Sequence, residues 1–325
     1  MELLIRKTIP KKSIVLDTYW KFAFERQKIF FNKILNEKTL TTDSILKKHK
    51  FTNAYRASDR VSQYLIKNVI YSNNEFNGED ILFRILLFKI FNKIETWELL
   101  ETEFGTLQIS NFDFVKFNEI LQEAMNSNES IYSGAYIMAS GKSIFGYNRK
   151  HENHLKLLEE KLIKENLIDK IRVCTSLEQL YKSLLELPTI GSFLAYQFAI
   201  DINYSQLVNF SEMDFVVPGP GAKDGIKKCF TDFGDYNETD IIKYVTDLQE
   251  IEFNRLELDF KTLWGRNLQL IDCQNLFCET DKYSRVAHPD ISGISDRKRI
   301  KQIYRPNNTE IKLFYPPKWN INHLI

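Results

Sequence analysis

The stretch Leu187-Pro188-Thr189-Ile190-Gly191-Ser192 separates two predicted helices, 176–187 and 192–205. Ser176 and Gln179 have the spacing of a capping box at the start of the first helix, and Pro188 ends that helix. A turn of this kind places backbone N–H groups at the N-terminus of the second helix, where they can bind a phosphate. The turn therefore predicts an anion contact, and an ordinary corner between two helices is the alternative.

The rest of the chain predicts a mainly α protein, because apolar residues recur at spacings of three and four along most of its length. The other predicted helices are 17–36, 57–72, 80–104, 115–126, 152–168, 238–263 and 266–279. Strands are minor. The least helical stretches are 127–150, 206–237 and 280–325, and we expect site residues to concentrate there. We expect one helical unit over 1–325, with two helical lobes on either side of a cleft as the alternative.

The composition limits the class of protein. A hydrophobic content of 43% with only 12 Gly and 8 Pro predicts a globular chain. Arg84 and Lys89 interrupt the most apolar segment, and the N-terminus lacks a secretory pattern, so we expect a cytoplasmic protein without a membrane span. The net charge of +1 means that nucleic-acid binding would need a local patch, for which the basic run 297–305 is the best candidate.

Cysteine and histidine spacing predicts neither a metal site nor a cofactor. The four cysteines fit no zinc or disulfide framework, and we expect them to be reduced. His151 and His154 lie three residues apart on a predicted helix without a third ligand, and we expect both to be exposed to solvent.

The turn and the residues after it resemble the helix-hairpin-helix element of DNA glycosylases of the endonuclease III type. In that superfamily a catalytic aspartate follows the hairpin, and here Asp214 stands 23 residues after Gly191. Thr189 replaces the usual glycine of the turn, and Phe193 occupies the position of the lysine that bifunctional members use. The resemblance implies a helix-hairpin-helix DNA glycosylase-like fold and a monofunctional enzyme, in which Asp214 stabilises the positive charge that develops on the sugar.

A glycine-rich loop follows Asp214 at 218–228. Its glycines permit close approach of a backbone and Lys223 adds positive charge, so the loop is a candidate for phosphate contact, although it lacks the spacing of a P-loop. Residues 187–225 are thus expected to form a hairpin and catalytic loop. The predicted DNA-binding residues are Thr189, Ile190, Gly191, Gly219, Gly221 and Lys223.

Four motifs in order sharpen the resemblance. They are F-T-N-A-Y-R-A-S-D-R at 51–60, G-S-F-L-A-Y-Q at 191–197, the aspartate at 214 before G-P-G-A at 219–222, and C-E-T-D-K-Y at 278–283. The chain is similar, over about residues 15–310, to the alpha-glutamyl/putrescinyl thymine pyrophosphorylase family, also described as the helical domain of hydroxymethyluracil DNA kinases. Members of that family are thought to act on hypermodified pyrimidines of phage DNA.

The motif residues are candidates for a pocket that receives a base rotated out of the duplex. They combine an amide, aromatic rings and charged groups, and comprise Asn53, Tyr55, Arg56, Asp59, Arg60, Gln197, Asp201, Glu279, Lys282 and Tyr283. For the residues at 53–60 the alternative is a buried Arg–Asp network that braces two helices. For Gln197 and Asp201 it is a helix–helix contact, and for the residues at 279–283 it is surface salt bridging.

The resemblance as a whole implies a DNA glycosylase that excises a hypermodified pyrimidine, α-glucosyl-hydroxymethylcytosine, from double-stranded phage DNA in defence against the phage. It would need no cofactor or metal and would leave abasic sites. One alternative is a biosynthetic transferase that replaces pyrophosphate on hydroxymethyluracil by an amine. The other is a DNA-binding module without catalytic activity that uses the hairpin and the run 297–305.

Overall fold

The computed structural model describes residues 7–72, 75–134, 137–141, 143–306 and 312–325. Fourteen α-helices lie in this part of the chain: α1 (Ile14–Ile34), α2 (Ser44–Lys48), α3 (Arg60–Tyr64), α4 (Gly78–Phe91), α5 (Ile94–Phe104), α6 (Phe114–Asn126), α7 (Lys150–Leu157), α8 (Leu167–Arg172), α9 (Leu177–Leu185), α10 (Ser192–Asn203), α11 (Pro220–Cys229), α12 (Glu238–Asp247), α13 (Gln249–Arg255) and α14 (Leu270–Ala287). The strands β1 (Lys11–Lys12) and β2 (Phe230–Asp232) pair antiparallel, with Lys11 opposite Asp232. None of the described helices is both long enough and apolar enough to cross a membrane.

The prediction of a mainly α protein is confirmed, but several helix boundaries differ. The predicted helix 80–104 divides at Asn92, whose left-handed conformation ends α4. The predicted helix 238–263 is two helices that meet at Leu248, and α14 continues eight residues beyond the predicted end at 279. The helix α11 lies in a stretch predicted to be among the least helical.

Contacts divide the chain into two compact units. The first unit comprises Met1–Asp59, Glu212–Lys312 and Leu324–Ile325, and the second comprises Arg60–Ser211 and Leu313–His323. The expected hairpin and catalytic loop at 187–225 therefore divides, with 187–211 in the second unit and 212–225 in the first.

In the first unit α14 is the central helix. It packs against α11, α1 and α12, and its residues Cys273, Leu276 and Phe277 are almost completely buried. Tyr19 of α1 lies against Phe277 with ring centroids 4.6 Å apart. Burial of this apolar surface is the main source of the stability of the unit.

The glycines of α11 permit its close approach to α14. A Cβ atom at Gly221 would lie 2.3 Å from Cys278 Sγ, and one at Gly225 would lie 2.0 Å from the carbonyl oxygen of Phe277. Glycine disfavours a helix, which is why the sequence pattern missed α11. The tertiary contact requires glycine there nonetheless, because no side chain fits between the two helices.

We predict that Gly225→Ala destabilises the protein by about 3 kcal/mol, because the new methyl group meets backbone atoms that cannot rotate away. Alanine in a helix would otherwise stabilise it by about 1 kcal/mol. Urea unfolding measures the difference, and Gly134→Ala is the control because a Cβ at Gly134 meets none of the described residues within 4 Å. Equal stability of the two variants would refute the packing explanation.

In the second unit α4 is the most buried helix, and it carries a buried arginine. Arg84 is 1% exposed and donates hydrogen bonds to three carbonyl oxygens, those of Val69 (2.7 Å), Leu107 (2.8 Å) and Asn68 (3.1 Å). Two of these acceptors belong to the π-helical turn Leu65–Ile70, whose irregular backbone leaves carbonyl groups to be satisfied. Burial lowers the pKa of Arg84 to about 10.

The prediction that His151 and His154 are exposed is wrong. Both side chains of α7 are only 1% exposed. His154 Nδ1 lies 2.9 Å from the hydroxyl group of Tyr132, and burial lowers the pKa of His154 to about 3. Histidine on a short polar helix gives no sign of burial in the sequence, and here contacts with Tyr132 and neighbouring helices cover the ring.

Candidate functional site

The loop 51–59 of the first unit is held in one conformation by its own polar groups. The backbone N–H of Asn53 donates to Asp59 Oδ1 (2.8 Å), and its side-chain Nδ2 donates to the carbonyl oxygen of Ser58 (2.8 Å). A 3-10 turn, Arg56–Ser58, lies between these two ends. The predicted site residues Asn53 and Asp59 are therefore neighbours in space as well as in sequence.

Two charged residues from distant parts of the chain fasten this loop. Arg26 of α1 donates from Nε to the carbonyl oxygen of Thr52 (2.7 Å) and from Nη2 to Asn53 Oδ1 (2.9 Å). Glu279 of α14 accepts from the backbone N–H of Thr52 (3.0 Å). Burial raises the pKa of Asp59 to about 7, and the hydrogen bond from Asn53 and the charge of Arg26 oppose that rise.

Lys282 and Tyr283 complete this side of the site. Lys282 Nζ lies 2.7 Å from Glu279 Oε2 and 4.6 Å from the centre of the Phe51 ring. The Tyr283 ring lies 6.1 Å from that of Phe51. Glu279 is 8% exposed, so this ion pair is largely buried and differs from the surface salt bridge considered as the alternative. The fold thus brings Asn53, Asp59, Glu279, Lys282 and Tyr283 together.

Tyr55 and Arg56 contact a separate set of partners near the start of α14. Tyr55 is 1% exposed, and its hydroxyl group donates to the carbonyl oxygen of Arg266 (2.6 Å). The backbone N–H of Arg56 donates to Asp272 Oδ1 (2.8 Å). Arg266 in turn pairs with Glu212 at 2.9 Å. These contacts agree with a buried network that braces the loop, and a base-contacting role for Tyr55 and Arg56 stays a prediction.

Burial makes Asp272 an unusual carboxylate and leads to a pH prediction. Asp272 is 4% exposed, and desolvation raises its pKa to about 7 although Gln269 and Arg56 donate to it. Because the folded state holds this proton more tightly than the unfolded chain, the contribution to stability is present below pH of about 4 and is lost as the pH rises through about 7. We therefore expect the free energy of unfolding of the wild type, minus that of Asp272→Asn, to be more positive at pH 5 than at pH 8.

Urea unfolding at the two pH values measures this difference. Asp290→Asn is the control, because Asp290 is exposed to solvent and its replacement makes the same chemical change outside the buried contacts of Asp272. A difference in stability between wild type and Asp272→Asn that does not change with pH would contradict the raised pKa of Asp272.

A cavity of about 150 Å³ lies beside Tyr283. Its lining combines aromatic and apolar groups with charged groups, and consists of Thr18, Lys21, Phe22, Glu25, Asp43, Leu46, Tyr283 and Ala287. The Tyr283 hydroxyl group donates to Asp43 Oδ2 (2.6 Å), and the Thr41 hydroxyl group donates to Glu25 Oε2 (3.0 Å). Burial and these two carboxylates raise the pKa of Tyr283 well above its usual value. The phenol is therefore a hydrogen-bond donor at neutral pH.

The sequence analysis missed the cavity residues on α1 and α2. Thr18, Lys21 and Glu25 recur at spacings of three and four, which places them on one face of a helix. This polar stripe on α1 is the feature of the sequence that could have revealed the cavity residues. Asp43 has a second role as the N-cap of α2, where it accepts from the backbone N–H groups of Ile45 and Leu46.

The predicted site residues of the second unit make different contacts. Asp201 of α10 is completely buried and lies 3.2 Å from Lys89 Nζ of α4, as in a helix–helix contact. Gln197 lies one turn earlier on α10. Arg60 is exposed and pairs with Glu95 at 3.3 Å. Roles for these three residues in a base pocket stay predictions.

The turn between α9 and α10 has the predicted helix–turn–helix form. Gly191 is the N-cap of α10 and is exposed, with no side chain capping the helix. Ile190 is buried, and Thr189 has a φ of 68° in the left-handed region. A β-branched residue is rare in that conformation. Contact of Thr189, Ile190 and Gly191 with DNA stays a prediction.

The remaining candidates lie before and within α11. Asp214 is exposed on a turn that precedes this helix. Gly219 is the N-cap of α11, Gly221 faces Cys278 of α14, and Lys223 is partly exposed. The packing of α11 accounts for Gly221, and DNA contact by Gly219, Gly221 and Lys223 stays a prediction.

Comparisons with known proteins give the chain a family. Residues 13–293 match the family described as 5-hmdU DNA kinase, helical domain. The chain is 26% identical over 291 residues to a protein of Bacillus phage SP10 named 5-hmdU DNA kinase. This alignment covers 82% of the chain but 44% of the relative, so the chain spans less than half the length of that protein. No solved structure matches.

These findings overturn the expected enzyme activity. The interpretation as a hydrolytic N-glycosylase is wrong, because the family is described as the helical domain of a 5-hmdU DNA kinase and the relative is named 5-hmdU DNA kinase. The hydrolytic role of Asp214 was inferred from that interpretation and is withdrawn with it. DNA as the substrate agrees with both descriptions, whereas neither description mentions a glucosylated base. The resemblance to hydroxymethyluracil-modifying proteins is confirmed: the chain belongs to the family of the helical domain of 5-hmdU DNA kinases.

Proposed function

We propose that this chain binds DNA containing 5-hydroxymethyluracil and takes part in phosphorylation of the hydroxymethyl group. The family match over residues 13–293 carries the proposal, because it includes the loop 51–59, the cavity beside Tyr283 and the whole of α14. The kinase reaction comes from the name of a longer relative and is a proposal for this chain.

We propose that the cavity beside Tyr283 receives the base after it rotates out of the duplex. A cavity of about 150 Å³ in another protein holds benzene, so a space of this size accommodates a six-membered pyrimidine ring. Phe22 and Tyr283 supply aromatic surface next to it, with ring centroids 5.5 Å apart. A planar base gains binding free energy from such contacts.

The carboxylates of the cavity suit the hydroxymethyl group. A kinase moves a phosphoryl group onto a hydroxyl oxygen, and a carboxylate beside that hydroxyl accepts its proton. Among the described contacts, Glu25 uses only Oε2, which accepts from Thr41. We therefore assign Glu25 as the acceptor of the hydroxymethyl proton, with Asp43 oriented by Tyr283 as a second acceptor for the base.

The experiment uses three otherwise identical duplexes that contain thymine, 5-hydroxymethyluracil or glucosylated hydroxymethylcytosine at one position. Binding is measured by fluorescence anisotropy, and products formed with ATP and magnesium are identified by mass spectrometry of the nucleosides. We expect tighter binding of the hydroxymethyluracil duplex and a phosphorylated hydroxymethyluracil nucleoside, with product lost in Glu25→Gln while binding is retained. Equal affinity for all three duplexes would contradict the recognition, and tighter binding without product would contradict the kinase part alone.

We also propose that the turn between α9 and α10 contacts the DNA backbone in a helix-hairpin-helix arrangement. Exposed Gly191 leaves the N-terminus of α10 accessible to a phosphate, and the dipole of the helix favours an anion there. Thr189 holds the turn at a cost in backbone strain, and strained residues of this kind concentrate at functional sites.

The strain at Thr189 leads to a stability prediction. We expect Thr189→Gly to stabilise the protein by about 1 kcal/mol, because glycine adopts a positive φ without steric cost and this gain exceeds its extra entropy in the unfolded chain. Urea unfolding tests the change. Thr189→Ala is the matched control, since it removes the same side chain but keeps a Cβ atom, and the prediction fails if alanine stabilises as much as glycine.

A further inference from the structure

Two basic segments that are far apart in sequence lie side by side in the first unit. His49 and Ile303 form an antiparallel bridge, the backbone N–H of Lys50 donates to the carbonyl oxygen of Gln302 (3.1 Å), and that of Tyr304 donates to the carbonyl oxygen of Lys48 (3.0 Å). The run 47–50 and the run 298–305 thereby form one surface. We call it the basic ribbon, and its exposed cations are Lys47, Lys48, Lys50, Lys298, Arg299, Lys301 and Arg305.

The charge of the ribbon is not neutralised within the described part of the chain. None of its seven cations forms an ion pair with a carboxylate there, unlike Arg297 at its edge, which pairs with buried Asp224 at 2.7 Å. Exposed Asp296 lies next to Arg297 in the sequence. The whole chain has a net charge of only +1, so a group of seven cations is a local concentration of charge. Such a surface attracts a polyanion.

Contacts with the body of the unit hold the ribbon in place. The Asp224 carboxylate accepts from Ser295 and Arg297, and Arg285 of α14 donates from Nη1 to the carbonyl oxygen of Arg299 (3.1 Å). Lys282 Nζ lies 3.5 Å from Gln302 Oε1. Because the backbone is fixed, little conformational entropy is lost there when the ribbon binds a partner.

The ribbon borders the proposed base pocket. Leu46 lines the cavity, and Lys47 and Lys48 follow it directly at the end of α2. The run 47–50 leads without interruption into Phe51 and the loop 51–59. The first segment of the ribbon therefore begins directly after a residue that lines the cavity.

We propose that the basic ribbon binds the phosphate backbone of the DNA strand whose base enters the cavity. This proposal rests on the proposed function and adds the surface that holds the strand. The whole of its second segment, 298–305, lies beyond residues 13–293, so the family match does not imply it. Phosphate contacts of this kind supply affinity and register but no discrimination between bases.

The test compares two variants that each lose four positive charges. The ribbon variant carries Lys48→Gln, Lys50→Gln, Arg299→Gln and Lys301→Gln. The control carries Lys116→Gln, Lys161→Gln, Lys164→Gln and Lys170→Gln, which are surface lysines of the second unit paired with neighbouring carboxylates. Binding to the hydroxymethyluracil and thymine duplexes is measured over a series of salt concentrations, and thermal unfolding checks that both variants fold.

We expect the ribbon variant to bind both duplexes about 100-fold more weakly at low salt, with the slope of log affinity against log salt reduced by about 3 to 4. Its preference for hydroxymethyluracil should be unchanged, and the control should bind as the wild type does. An unchanged slope in the ribbon variant, or an equal loss of affinity in the control, would overturn the proposal that the ribbon binds DNA. If the wild type shows no preference between duplexes but its salt slope is still steeper than that of the ribbon variant, the proposed function is wrong and the proposal that the ribbon binds DNA is retained.

Discussion

Asp281→Leu is expected to destabilise the protein by about 3–5 kcal/mol, because it leaves a buried ammonium group without its partner. Asp281 of α14 and Lys228 of α11 have side chains that are each 3% exposed, and Lys228 Nζ lies 3.0 Å from Asp281 Oδ1. The carbonyl oxygen of Asp281 is a further acceptor for Lys228 at 3.2 Å. Arg285 also pairs with Asp281, so the leucine removes a carboxylate shared by two cations.

The double variant Lys228→Met/Asp281→Leu is the control for this prediction. It removes both members of the buried pair and replaces them with apolar side chains of similar size, which is often close to neutral. We therefore expect it to recover the part of the stability lost in Asp281→Leu that comes from the unpaired Lys228, as measured by urea unfolding, whereas Arg285 still lacks its carboxylate. If the double variant is as unstable as the single one, the loss comes from packing rather than from the unpaired charge.

Ala287→Phe is expected to abolish the preference for hydroxymethyluracil by occupying the cavity beside Tyr283. Ala287 lies at the end of α14 and lines the cavity, whose volume of about 150 Å³ a phenyl ring largely fills. With no room for the base, the difference in affinity between the hydroxymethyluracil and thymine duplexes should fall by at least about tenfold, or 1.4 kcal/mol. Binding through the basic ribbon to unmodified DNA should persist.

Val286→Phe is the matched control for the cavity. Val286 is the preceding residue of α14 and is 46% exposed, so a phenyl ring there extends into solvent. We expect this variant to keep the preference of the wild type in the same anisotropy measurement. Equal loss of preference in both variants would indicate a general effect of an added aromatic ring, and retained preference in Ala287→Phe would place the base elsewhere.

The sequence was sufficient for the helical class and for several local features. Hydrophobic spacing predicted most helices. Ser176 caps α9 by accepting from the backbone N–H of Gln179, as expected of a capping box, whereas the Gln179 side chain accepts from the backbone N–H of Thr175, one residue before the position that a capping box uses. These features depend on residues close in sequence, so local patterns reveal them. The turn after α9 is likewise a local feature that the sequence predicted. The four ordered motifs also pointed to the family, which the match over 13–293 supports.

The activity could not be read from the same residues. An aspartate 23 residues after a hairpin suggested an N-glycosylase, but Asp214 lies exposed on a turn, and the family is described as the helical domain of a 5-hmdU DNA kinase. Spacing along a chain does not tell whether a carboxylate will be buried beside a substrate. That depends on side chains that arrive from other segments, such as Glu25 and Asp43 around Tyr283.

The sequence by itself determined the helical periodicity, the caps, the turn at 187–192 and the motifs of the family, because each depends on neighbouring residues. Only the tertiary structure decided that α11 is a helix, since Gly221 and Gly225 meet α14 and not solvent. It alone placed Arg26 and Glu279 on the loop 51–59 and joined the run 47–50 to the run 298–305. Contacts between segments that are not neighbours in the sequence have no local pattern, because the side chains on both sides satisfy each other only after the chain has folded.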